Sequence, residues 1–158
     1  MKRTTNGFIL ILSAILSLLT PVTYAAKRAI PYQVLYQESE HDADSFASKT
    51  IMVIRDWNAY TDAVVKHTNE EIVDVNFSQS QVLMIDMGNR PNTGYGLKIN
   101  RVLEFDHHIV VYTKFSVLHD TSGECLPGEA ITNPIVFLKI NSLKEIIVRE
   151  KYKPVTCR

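Results

Sequence analysis

Tyr95-Gly-Leu-Lys-Ile-Asn-Arg-Val-Leu-Glu104, then Phe105-Asp-His-His108, then Ile109-Val-Val-Tyr-Thr-Lys-Phe-Ser-Val-Leu118 decide the fold class of this chain. Tyr95, Leu97, Ile99 and then Val102 recur with the two-residue period of a half-buried strand. The run from Ile109 to Leu118 is rich in β-branched and aromatic residues. The polar Phe105–His108 stretch between them is a turn, so the two runs form a long antiparallel hairpin.

Working outward, Val82-Leu-Met-Ile85 is a continuous apolar run, the pattern of a strand buried on both faces. Before it, Val73, Val75 and Phe77 alternate with Asp74, Asn76 and Ser78 and predict a further strand. Thr50–Arg55 and Tyr32–Tyr36 predict two strands, separated by a polar loop rich in Ser, Asp and His. Pro134–Ile140 and Glu145–Arg149 predict two more. One amphipathic helix is expected over Asp56–Lys66. Asp56 is its N-cap, and Trp57, Tyr60, Val64 and Val65 are spaced to face the core. Trp57 is expected to be buried where helix meets sheet. The fold class is therefore α+β: mainly antiparallel β sheet, barrel- or sandwich-like, with a single amphipathic helix packed on it.

Residues 1–25 read as an export signal. Lys2 and Arg3 precede an apolar run from Phe8 to Leu19, and Thr23-Tyr24-Ala25 supplies small residues for cleavage before Ala26. As a helix that run reaches about 18 Å, short of the ~30 Å hydrocarbon core of a bilayer. Residues 26–158 form one domain, and its destination is the periplasm or the extracellular space. The whole chain carries 17 basic and 17 acidic residues. Removing residues 1–25 takes Lys2 and Arg3 and no acid, leaving 15 basic against 17 acidic and a formal charge of −2. That balance argues against a nucleic-acid binder. Cys125 and Cys157 are the only cysteines. An even pair in an oxidising compartment is expected to form a disulfide, which would tie the C-terminal tail to the Gly123–Pro127 loop.

Chemistry-bearing patterns are sparse. The histidines are His41, His67, His107, His108 and His119, and no pair has the helical spacing of a zinc site. His119, Asp120 and Ser122 are the residue types of a hydrolase triad, but they crowd within four residues and lack a nucleophile elbow. Glu124, beside His119 and Asp120, is the remaining cue for a dispersed enzyme site. No phosphate-cradling glycine motif is present. Asn76-Phe77-Ser78 matches a glycosylation sequon and is read as chance. The expectation is a non-enzymatic protein with no metal and no cofactor. Its candidate binding site is the loop Gly88-Asn-Arg-Pro-Asn-Thr-Gly-Tyr-Gly96, specifically Arg90, Pro91, Asn92, Thr93, Gly94 and Tyr95. Gly88, Gly94 and Gly96 offer positions for positive φ, Pro91 stiffens the middle, and Arg90 and Tyr95 are types that recur at binding hot spots.

Trp57, Val75–Phe77, Gly88–Tyr95, Leu126-Pro-Gly128 and Thr132-Asn-Pro134 occur in the order and spacing that resemble the PrcB C-terminal-domain family, named for a subunit of a secreted bacterial protease complex. The resemblance covers about residues 50–148 and implies an exported accessory protein that binds or stabilises a protease or another partner. Where that family often has glycine-glycine-tyrosine, this chain has Thr93-Gly94-Tyr95. Asn92-Thr-Gly-Tyr95 also resembles one loop of the chagasin-type inhibitors of papain-like cysteine proteases, which implies a β-sandwich and inhibition through that loop. The family's other two signature loops have no counterpart in this chain.

Overall fold

The computed structural model describes residues 27–38, 48–119 and 127–156. The elements are β1 (Arg28–Ala29), β2 (Tyr32–Glu38), β3 (Thr50–Ile54), α1 (Trp57–His67), β4 (Gln81–Asp86), β5 (Tyr95–Glu104), β6 (His108–Leu118), β7 (Ile135–Ile140) and β8 (Glu145–Val155). They form two four-stranded sheets, β1-β5-β6-β8 and β2-β7-β4-β3. The sheets are not closed into a barrel. They stack face to face, and α1 covers the far side of the second sheet, giving three layers.

Alternation along β4 and β7 explains the layering. Leu83 and Ile85 of β4, with Val136, Leu138 and Ile140 of β7, point toward Leu97, Val102, Ile109, Val111 and Phe115 of the first sheet. Val82, Met84, Ile135 and Phe137 point the other way, onto Tyr60, Ala63 and Val64 of α1. Both strands are thus covered on both faces, and all six residues of β4 are buried. This is the physical meaning of the continuous Val82–Ile85 run. The one buried glutamine there is satisfied, since Gln81 Nε2 donates to the Lys144 carbonyl at 2.7 Å and its Oε1 accepts from Arg55 Nε at 3.1 Å.

The helix starts where capping chemistry puts it, with Asp56 Oδ1 accepting from the Ala59 N–H at 2.8 Å. Its buried stripe is Tyr60, Ala63, Val64 and His67. Trp57 is a correction: it is 43% exposed and lies only against the edge of Tyr60, ring centroids 5.8 Å apart. It occupies the first helical position, where the helix has not yet come over the sheet. Trp57→Ala is therefore expected to cost about 1 kcal/mol in urea unfolding, the worth of a partly exposed aromatic pair. A loss above about 3 kcal/mol would contradict this placement.

One further expectation fails. Residues 71–76 form no strand; the segment is extended coil and turns at Phe77–Gln79. It pairs with no strand, and its placement is set instead by side chains. Val75 is buried in the helix-side core, and Tyr36 Oη accepts from the Val73 N–H at 3.0 Å while donating to the Glu71 carbonyl. Burial holds the Tyr60 phenol, which donates to Tyr36 Oη at 3.3 Å, well above its ordinary titration range. The last strand, β8, runs beyond the expected Glu145–Arg149 to Val155 and pairs with β6 in parallel. The chain leaves β6, crosses to the second sheet as β7, and returns, so β8 enters from the same end as β6. All other strand pairs are antiparallel, as expected.

Glu104 ties the short β1 and the β7–β8 turn to the end of β5. Its carboxylate accepts from Arg28 at 2.6 Å and lies 3.1 Å from Lys144 Nζ. Those hydrogen bonds, Arg28 first and Lys144 second, hold its titration below the usual glutamate range. The sign follows: the contribution is present above the unfolded value of about 4.3 and is lost as pH falls through the lower folded value. Glu104→Gln is expected to flatten the acid side of the stability profile. An NMR titration placing Glu104 at or above about 4.3 would contradict this.

Candidate functional site

The Gly88–Tyr95 loop lies at one end of the sandwich, between β4 and β5. Its entrance is set by a buried pair. His67 Nδ1, at the end of α1, is 3.2 Å from Asp86 Oδ2, and the side chains are 2% and 0% exposed. The other oxygen, Asp86 Oδ1, accepts from the Gly88 N–H at 2.7 Å. Gly88 has φ 68°, the one positive-φ position among the described residues. Gly94 and Gly96 do not use that freedom.

From there the loop is knitted to a second, distant segment. Arg90 and Thr132 exchange backbone hydrogen bonds at 2.7 and 3.0 Å. Thr132 Oγ1 donates to the Asn92 carbonyl at 2.8 Å. The Thr93 N–H donates to the Gly128 carbonyl at 3.0 Å, and the Gly128 N–H donates to Thr93 Oγ1 at 2.7 Å. Within the loop, Asn92 Oδ1 accepts from the Gly94 N–H at 2.9 Å, an Asx-type turn. On the third side, the Leu118 N–H of β6 donates to the Gly94 carbonyl at 2.7 Å. Gly94 is required for proximity: a Cβ there would meet Leu118 Cβ at 2.9 Å and Pro127 Cβ at 3.1 Å. Gly94→Val is expected to lower stability by about 1–3 kcal/mol, as overpacking does, with enhanced hydrogen exchange at Thr93 and Gly128. Unchanged exchange and an unchanged unfolding midpoint would contradict the close packing.

The six candidate residues divide into two groups. Arg90 and Tyr95 turn inward. The Arg90 guanidinium sits 5.3 Å from the centroid of Phe115 and 5.9 Å from that of Tyr95, and donates to the Met87 carbonyl. Tyr95 stacks on Phe115 with centroids 5.8 Å apart, and Phe115 meets Tyr152 at 6.4 Å. This arginine plugs the open end of the inter-sheet core with a cation–π contact. Near it, Lys49 and Glu150 form an ion pair linking the two sheets. Burial first, and the Arg90 charge second, hold the Lys49 ammonium below the usual lysine range. Pro91 and Thr93 face solvent, with Asn92 and Gly94 half-exposed. Beside the tip is a shallow open depression of about 230 Å³, lined by Thr93, Gly94, Tyr95, Gly96, Ser116, Leu118 and Val155.

Other candidates are not assembled into chemistry. His107 is exposed, and His108 stacks on Phe105 at 4.8 Å in the β5–β6 turn. His119 is exposed at the end of β6. Asp120, Ser122, Glu124, His41 and the Cys125–Cys157 pair lie outside the described residues, as does the 1–25 segment. Among the described residues, no group of three His, Cys, Asp or Glu side chains is placed to hold a metal ion, and no helix is long and apolar enough to cross a membrane. His67 and Asp86 are the pairing that sequence reasoning missed. The usable signals were a histidine on the i, i+3, i+4, i+7 stripe begun by Tyr60, and an aspartate two residues before Gly88. Comparison with protein-family models, curated proteins and solved structures yields no match for this chain.

Proposed function

We propose that this chain is an exported, non-enzymatic accessory domain that binds a protein partner, a protease being the foremost candidate, through the tip of the Arg90–Tyr95 loop. The observation that carries the reading is the loop's construction. Three separate chain segments, Asp86–Gly94, Gly128–Thr132 and the end of β6, fix its backbone through hydrogen bonds, while Pro91 and Thr93 are left facing solvent. A loop held this rigidly loses little conformational entropy on binding, which favours recognition by a preformed surface. Two of the segments brought together, Gly88–Tyr95 and Gly128–Thr132, are among the stretches that carry the resemblance to the PrcB C-terminal-domain family, which supports the same role. Arg90 and Tyr95 then act as supports for the tip.

Because Arg90 and Tyr95 are packed, their replacement confounds binding with folding, and the informative variants are at the tip. A photo-crosslinker at Pro91 is expected to join the exported chain to one specific partner, and Thr93→Asp in the same chain to abolish that product without moving the unfolding midpoint, since a carboxylate oxygen can still accept from the Gly128 N–H. An identical crosslinked product with Thr93 replaced would overturn the assignment. Inhibition of a papain-like protease by the purified protein would instead favour the chagasin-like alternative.

A further inference from the structure

The sheet β1-β5-β6-β8 has one face in the core and one face turned away from it, on which Leu103 and Val110 are buried at one end and the charged residues of β5, β6 and β8 lie toward the other. Register places its outward side chains in rows across β5, β6 and β8. Lys98, Lys114 and Lys151 form one row, each directly opposite the next. Arg101, Tyr112 and Arg149 form the neighbouring row, and Lys153 lies beside Ser116 in the row on the other side. Rows across strands are about 4.8 Å apart per residue and successive rows about 6.7 Å apart. Arg101, Tyr112, Lys114, Arg149, Lys151 and Lys153, together with Glu150, line a broad groove of about 640 Å³.

Three features set this face apart from an ordinary solvated one. First, like charges opposed across strands are destabilising, yet Lys114 on the central strand is flanked by lysines on both sides. The charges of Lys153, Lys98 and Lys151 hold its ammonium below the usual lysine range. Second, no ion pair among the described residues involves any of these six cations. The nearest acid, Glu150, lines the same groove but pairs with Lys49, and Glu145 lies at the far end opposite His108. Third, the cations on β8 are bracketed on the same face by two exposed aliphatics, Ile147 and Val155, each 38% exposed. A chain of formal charge −2 after removal of residues 1–25 thus gathers six positive charges on one open sheet.

We propose that this face is a docking surface for an anionic phospholipid bilayer. A plane of phosphates supplies the counter-charge that the Lys98–Lys114–Lys151 row lacks, and Ile147 and Val155 are placed to enter the headgroup boundary on either side of the cations. The face is poorly built for single-stranded nucleic acid, which needs free aromatic surfaces for stacking. Its one aromatic ring, Tyr112, is covered by the Arg101 guanidinium at 4.5 Å. The surface meets the Arg90–Tyr95 tip at Val155, which also lines the depression beside Thr93, and the two assignments are told apart by their tests, vesicle binding being read with the lysine variants and partner binding with the tip variants.

The test is sedimentation of the chain from Ala26 onward, which contains every described element, with vesicles of phosphatidylcholine alone or with one third phosphatidylglycerol. Binding is expected only to the anionic vesicles and is expected to weaken steeply between low and high salt. Each lysine near such a surface contributes about fivefold in affinity. Lys114→Gln is therefore expected to weaken binding about fivefold, and Lys98→Gln/Lys114→Gln/Lys151→Gln about a hundredfold. Relief of the like-charge row leaves the folded state of both variants intact, their unfolding midpoints equal to or above that of the parent. Equal binding to neutral and anionic vesicles, or an unchanged affinity in the triple variant, would overturn the proposal. So would tighter binding to an oligodeoxynucleotide or to polyglutamate than to the vesicles.

Discussion

His67→Ala is expected to lower the free energy of unfolding by about 3–5 kcal/mol, the range for breaking a buried charge-bearing pair by removing one partner. The substitution leaves the fully buried Asp86 carboxyl with the Gly88 N–H but without the imidazole 3.2 Å from its other oxygen. It also empties a site that is 1% exposed. Because Asp86 sets the Gly88 turn, the damage should spread to the loop, and amide exchange at Arg90 and Thr93 should accelerate. The double variant His67→Ala/Asp86→Ala is expected to cost clearly less than the sum of the single changes, since the two residues share one interaction. Strict additivity, or a His67→Ala loss below about 1 kcal/mol, would show that the pair contributes little.

The second large effect is expected at Phe137. It is fully buried in the centre of β7, faces the helix, and meets Tyr36 edge-on with centroids 5.5 Å apart. In register it lies between Tyr36 of β2 and Met84 of β4, so the strands on either side cannot close over the space it vacates. Phe137→Ala is expected to cost about 3–5 kcal/mol, as for other buried aromatic truncations. Tyr152→Ala, at a residue 59% exposed on the edge strand β8, should cost under about 1.5 kcal/mol. Denaturant unfolding of both variants checks the contrast. Similar losses at the two positions would mean that the helix-side core is not where the stability resides.

Much of the fold was legible in local pattern. The Tyr95–Leu118 hairpin, the doubly buried Val82–Ile85 strand and the Asp56 cap rest on interactions within a few residues or within one element: side-chain period, turn composition and capping. The loop was legible as a rigid glycine-and-proline segment, but not the direction of its side chains. Arg90 and Tyr95 have the chemistry of a binding surface. What turns them inward is Phe115, a residue that meets them only after the sheets are assembled.

What local pattern did not reveal shares a cause. Val73-Asp-Val-Asn-Phe77 has a strand's period, but a strand also needs backbone pairing, and here the Tyr36 hydroxyl of β2 takes the Val73 N–H and the Glu71 carbonyl instead. Trp57 has a core residue's chemistry, but its position at the first turn puts it beyond the sheet. β8 has the composition of any strand, and only the crossing of the chain through β7 makes it parallel to β6. By itself the sequence determined most of the strands, where the helix begins, and that a stiff loop joins β4 to β5, because these follow from backbone sterics and the alternation of apolar side chains. Only the tertiary structure decided which face each strand turns to which layer, that His67 reaches Asp86, and that six cations share one open sheet. Those outcomes depend on contacts between residues far apart in the chain, whose pairing no local spacing encodes.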